Sequence, residues 1–312
     1  MKSSPAWLVL LVASLSACKG AAPLPPKAIE LNRAGVEALA EGDLETAEAR
    51  FELALEYNPH FVEALVNQGL VELERGNFDR ARQLLHRAER LNPDVAQPYH
   101  GLGVLAEREH RPDLAAERYR EALRVDPGFS PARLNLARLL FDAGMLDRAR
   151  LEFKRLVEVA PDEPAGYAGL AEALLRLGRV PEAEQAGREG VARFPADAHL
   201  IILSARSELR HGRTQRAVEL LTPLAVGRDG VAAEALAWLA TAELSAQRLR
   251  HAAGAAKRAL ELSPEEPVAV YALALALHGL GDAHAREWLL RARALSPGEP
   301  IIEAALAGGP AH

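Results

Sequence analysis

Residues 62–95 read VEALVNQGLVELERGNFDRARQLLHRAERLNPDV, and residues 96–129 read AQPYHGLGVLAEREHRPDLAAERYREALRVDPGF. Laid one beneath the other, the two 34-residue stretches share a small residue at place eight (Gly69, Gly103) and alanine at place twenty (Ala81, Ala115). They also share a bulky residue at place twenty-four (Leu85, Tyr119) and a closing proline (Pro93, Pro127). Self-similarity at a fixed period of this size is the mark of a repeat architecture, so the period decides the fold.

Extending the register outward places prolines at Pro59, Pro93, Pro127, Pro161 and Pro195, every interval being 34. Asp229 takes the next mark, Pro264 follows 35 residues later and Pro297 33 after that. Eight units then begin near Ala28, Val62, Ala96, Ser130, Pro164, Ala198, Ala233 and Pro267. Alanine holds place twenty throughout, from Ala47 to Ala252, with Ala285 matching after a one-residue deletion. Place eight is always small: Gly35, Gly69, Gly103, Ala137, Ala171, Ala205, Ala240 and Ala274. Place twenty-four is bulky except at Gly187 and Ala256, which predict looser packing in their units.

These marks resemble the tetratricopeptide (TPR) family. The resemblance covers Ala28 to Pro297 and implies an all-α superhelical solenoid of about eight helix-turn-helix repeats, with small residues at the close helix crossing. Gly42, Gly76, Gly144, Gly178, Gly212 and Gly281 fall at the turn inside a unit, where a helix end needs positive φ. His110 and Gln247 stand there in the third and seventh units. In the remaining segment, 298–312, Ile301 to Leu306 is expected to cap the last apolar face, with a short tail after it.

Composition agrees with an all-α chain, since alanine and leucine dominate beside glutamate and arginine while aromatics are 5 %. A formal net charge of −6 argues against nucleic acid binding, which a basic domain would mark. A repeat array also escapes the size limit on a single core, because each unit buries its apolar face only against its neighbours.

The N-terminus carries Lys2 and an apolar stretch from Ala6 to Leu15, too short for a permanent membrane span of roughly 30 Å. Leu15-Ser16-Ala17-Cys18 resembles the lipobox of bacterial lipoproteins. The resemblance implies a signal peptide over residues 1–17 and acylation of Cys18, the lone cysteine of the chain, as the mature N-terminus. Residues 18–27 then form a lipidated, proline-rich tether carrying Pro23, Pro25 and Pro26. Lys19 stands where an aspartate would retain a Gram-negative lipoprotein in the inner membrane, which points to the periplasmic side of the outer membrane.

By analogy with such arrays, places two, five, nine, twelve and thirteen of each unit line a concave groove. Arg108, Arg138, Arg176, Arg206 and Arg210 fall there, with Glu107, Asp142 and Glu172 among them. Two readings stand: a groove that captures carboxylates or an acidic peptide, or arginines paired with neighbouring acids. The carboxylate clamp of chaperone-binding arrays, Lys at place five and Asn at place nine, is replaced by Asn32 and Val36. Val36, Leu39, Val66, Leu70 and Leu73 suit either docking of a partner's amphipathic helix or extended segment or packing between units, and Asn67 and Asn135 suit hydrogen bonds along the groove or between adjacent units.

No nucleophile elbow, phosphate-binding glycine loop or paired-histidine zinc motif is present, so no catalytic residue, metal or cofactor is assigned. The expectation is a lipid-anchored protein-binding scaffold or assembly factor of the bacterial envelope, resembling the TPR lipoproteins that support secretin or type IV pilus assembly. The alternative is an adaptor recruiting peptidoglycan or other envelope enzymes; an enzyme is the outside reading. Proteins or peptides in the groove are the expected partners, and the oligomeric state is left open.

Overall fold

The computed structural model describes residues 24–308, and every regular element among them is helical. The signal peptide, Cys18 and most of the tether lie outside the described residues. The chain divides between Ala160 and Pro161 into two compact units. The first unit holds four helical hairpins: α1 (Pro26–Ala40) with α2 (Leu44–Tyr57), α3 (Val62–Glu74) with α4 (Phe78–Leu91), α5 (Gln97–Arg108) with α6 (Pro112–Val125), and α7 (Ser130–Asp142) with α8 (Leu146–Val159). The second holds α9 (Pro164–Arg176) with α10 (Val180–Arg193), α11 (Ala198–Arg210) with α12 (Thr214–Leu221), α13 (Gly230–Ser245) with α14 (Leu249–Leu262), and α15 (Pro267–Leu280) with α16 (Ala285–Leu295). A short α17 (Pro300–Leu306) closes it, burying Ile302 and Ala305 against Val270, Ala274 and Leu289.

Each helix stop has a local cause. Asn58, Asn92 and Asp126 end α2, α4 and α6 in extended backbone, φ −146°, −147° and −131°, because a following proline disfavours the α region. Their side-chain oxygens then accept the backbone N–H two residues on, from His60, Asp94 and Gly128 at 2.9, 3.1 and 2.8 Å. Within the hairpins, the six predicted glycines all take left-handed backbone with φ between 66° and 79°. His110 and Gln247 adopt the same conformation, φ 57° and 60°, so the turn geometry survives without glycine.

The helix crossings explain the periodic small residues. All eight place-twenty alanines are buried, seven of them with no exposed area. At place eight the neighbour is the bulky place-twenty-four side chain of the same hairpin: a Cβ on Gly103 would lie 2.4 Å from the Tyr119 ring. Gly187 and Ala256 do not loosen their units, contrary to the sequence expectation. Ala256 is fully buried, and a Cβ on Gly187 would come within 2.8 Å of Ser204 Oγ, so the smaller residue there lets α10 and α11 close up.

Within each unit the first helices touch one another, α1 with α3 and α3 with α5, then α9 with α11, α11 with α13 and α13 with α15. The second helices instead rest on the first helices before and after them, as α2 does on α1 and α3. Inner-face residues therefore sit on a closely spaced layer of first helices.

Two boundaries differ from the repeat register. α1 starts at Pro26, inside the stretch read as tether, because proline at the first helical turn loses no hydrogen bond. In the sixth hairpin α12 stops at Leu221, since Pro223 cannot continue it, and a 3-10 turn over Leu224–Val226 follows. Asp229, aligned with the terminating prolines, has the opposite role: its carboxylate accepts from Ala232 N–H at 2.9 Å and caps the start of α13.

Candidate functional site

The residues assigned to the groove divide between the units: Arg108, Arg138 and Asp142 in the first, Glu172, Arg176, Arg206 and Arg210 in the second. All seven lie on first helices. Arg108, at the end of α5, donates to Glu74 Oε1 at 2.9 Å across to α3, an interval of 34 residues that joins equivalent places of adjacent hairpins. Arg206 on α11 repeats the device within the second compact unit. Its guanidinium donates twice to Glu172 on α9, at 2.6 and 3.1 Å, and lies 4.9 Å from the centre of the Trp238 ring on α13. One arginine thus ties three successive first helices, by a bidentate pair on one side and a cation–π contact on the other.

Of the two readings left open for the arginines, these pairs show the second at two positions, pairing with acids of the same chain. Arg108 and Arg206 already hold carboxylates of their own chain, so they brace the stack. Arg138, Arg176 and Arg210 are exposed, as is Asp142, with Arg210 donating to the Leu175 carbonyl at 3.4 Å. Of the apolar candidates, Leu39, Val66 and Leu73 are buried in the core, while Val36 and Leu70 are half-buried. The first group packs between helices and offers no free surface.

Beneath this face runs a buried polar ladder. Asn67 on α3 donates to Asn32 Oδ1 on α1 at 3.0 Å, and 68 residues on from Asn67, Asn135 on α7 meets His100 Nε2 on α5 at 3.1 Å. Hydrogen bonding between adjacent hairpins is therefore the role of both asparagines. The second pair extends further: Asn135 approaches the Tyr119 hydroxyl at 3.4 Å, and that hydroxyl donates to Glu107. Burial holds the His100 imidazole neutral, its pKa pushed down to about 4, and Nδ1 has no partner. Burial also raises Tyr119 and Glu107, the latter despite the hydroxyl bond and the Arg138 charge nearby. The spacing of 35 between His100 and Asn135, repeating that of Asn32 and Asn67, was the sequence signal for this network.

The described residues contain no group of three or more His, Cys, Asp or Glu side chains placed to hold a metal ion, and no helix long and apolar enough to cross a membrane. In each unit taken by itself, stacked first helices carry a brace between them and exposed charges over them, which suits recognition of a polypeptide along that unit's first helices.

Tetratricopeptide repeat family models match residues 32–96, 106–171 and 202–267. Cellulose synthase 1 operon protein C of Komagataeibacter xylinus is 31 % identical over 175 residues, 52 % of this chain and 13 % of that one. Type IV pilus assembly protein PilF of Pseudomonas aeruginosa is 31 % identical over 100 residues, 32 % of this chain and 38 % of that one. The chain thus spans well under half the length of either relative. Among solved structures, the APC/C hetero-tetramer Cut9-Hcn1 matches with a TM-score of 0.64 at 19 % identity, covering 89 % of this chain and 56 % of that one. Pseudomonas aeruginosa PilF matches at 0.56 and 19 %, covering 67 % and 94 %; both likenesses concern the fold alone.

Proposed function

Starting from a chain that belongs to the tetratricopeptide repeat family, we propose a lipid-anchored scaffold of the bacterial envelope that supports assembly of a secretin or type IV pilus machine. The observation that carries this pathway is the 31 % identity with the pilus assembly protein PilF. The lipobox-like Leu15-Ser16-Ala17-Cys18 supports the anchor, and the exposed Arg138, Arg176 and Arg210 supply charge for a partner.

The mechanism is binding at a fixed place. Acylation at Cys18 holds the repeats beside the membrane and raises their effective concentration for partners there, without any new contact. Rigid hairpins, braced by Arg108–Glu74 and Arg206–Glu172, present the binding face without a large ordering cost. The test is crosslinking and affinity capture of the intact protein from its native membranes, beside a Cys18→Ser variant. Recovery of a secretin or pilus component, lost or reduced with the variant, supports the reading. Recovery of cell-wall enzymes without a secretin favours the adaptor, and membrane retention of the Cys18→Ser variant removes the anchor.

A further inference from the structure

On the first unit, away from the inner-face places, a cleft of about 440 Å³ lies where α6 and α8 part over α7. Its floor is apolar: Leu136 and Leu140 of α7, both almost wholly buried, line it together with Leu123 of α6 and Leu151 of α8. Its walls are cationic, Arg120 and Arg124 on α6 facing Arg148 and Arg155 on α8.

The charge is only partly compensated. Glu152 is the single carboxylate of the lining, and both its oxygens are engaged, one by Arg155 and one by Arg133, each at 2.7 Å. Arg120, Arg124 and Arg148 are exposed and form no salt bridge among the described residues. The floor also holds Arg133, only 7 % exposed, whose Nε is buried with no hydrogen-bond partner although its other nitrogens reach Glu152 and the Pro127 carbonyl.

The preceding hairpin shows what the same places look like when the protein neutralises them. At positions 34 residues earlier stand His86, Glu89 and Arg90 on α4 and Glu117, Arg118 and Glu121 on α6. There Arg118 bridges Glu89 and Glu121 at 3.5 and 2.9 Å, and His86 bonds Glu89 at 2.8 Å. Glutamates have given way to Leu123, Leu151 and Arg155 in the later cleft, which exchanges a closed ion-pair network for an open cationic trough.

We propose that this cleft is a second docking site, distinct from the inner face, for an acidic segment of a partner protein that carries leucine-like side chains. The apolar floor takes the aliphatic groups, and the arginines on both walls take the carboxylates in bidentate geometry. An open trough between two helices admits a continuous chain, and its volume falls within the roughly 300–1,000 Å³ of specific ligand clefts. This site does not rest on the inner-face reading and stands if that reading fails.

The test is fluorescence anisotropy of the full-length protein with a fluorescein-labelled peptide of alternating Glu and Leu, against a Lys and Leu control. The Glu peptide is expected to bind, more weakly as salt rises, and the triple variant Arg120→Glu, Arg124→Glu, Arg148→Glu to weaken it at least about tenfold while helicity is unchanged. Arg206→Ala is expected to leave this affinity unaltered. Equal binding to the triple variant, equal binding of the Lys peptide, or arginine-dependent binding of phosphatidylglycerol vesicles in preference to the peptide would overturn the proposal.

Discussion

His110→Gly and Gln247→Gly are expected to stabilise the protein, one in each unit. Both residues hold left-handed backbone at the end of a first helix, φ 57° and 60°, and both side chains are exposed. The turn they make is that of the glycine hairpins: His110 N–H donates to Glu107 O at 3.0 Å and Arg111 N–H to Ala106 O at 2.9 Å, as Gly76 does to Leu73 and Asn77 to Glu72. Left-handed backbone costs a residue with a Cβ roughly 1–2 kcal/mol. Glycine gives back roughly 0.5–1 kcal/mol through its greater freedom in the unfolded chain. The net gain is then about 0.5–1 kcal/mol per site, or roughly 1–4 °C in Tm for a unit of this size. Urea unfolding followed by circular dichroism reads it, with Gly76→His, φ 79°, as the mirror control expected to lose a similar amount. Loss of stability in His110→Gly, or a neutral Gly76→His, would refute the reasoning.

Acid should weaken the first unit through His100. Its neutral form is favoured on folding, so this contribution is intact above the ordinary value of 6.5 and is lost as pH falls from there toward about 4. The loss is about 3 kcal/mol, read as the pH dependence of unfolding free energy, and His100→Asn, which copies Asn32 of the first hairpin, should flatten it. Asn67→Ala leaves the buried Asn32 oxygen unmatched and should cost roughly 1–3 kcal/mol by urea titration, more than a double change of both asparagines to leucine. Gly103→Ala drives a Cβ into the Tyr119 ring and should destabilise by roughly 1–3 kcal/mol; a stabilised variant in a thermal melt would contradict the packing described.

The repeat was legible because each hairpin solves the same packing problem with the same residue types. Ala81, Gly69 and Pro93 announce a crossing and a stop wherever they recur, and the turn position was found even at His110 and Gln247, where its usual residue is missing. The early end of α12 was not legible from the period, since Leu221 still filled place twenty-four and Asp229 was read by position, not by its capping chemistry. Placement of Arg108 and Arg206 on first helices could be read from the register. Pairing with neighbouring acids was one of the two readings open there, but the register did not assign the partners, because Glu74 and Glu172 come within reach only once hairpins stack. The link from His100 through Asn135 to Tyr119 likewise joins three helices, and its trace in the sequence is the 35-residue spacing that His100 and Asn135 share with Asn32 and Asn67.

The most direct measurement of the scaffold claim is site-specific photocrosslinking in intact cells, with the crosslinker placed in turn at Arg138, Arg176 and Arg210 and at Glu52, exposed on α2, as control. A secretin or pilus assembly protein crosslinked from the three first-helix positions and not from Glu52 is the predicted result. Adducts of equal yield from Glu52, or none from the first-helix positions, would contradict the account.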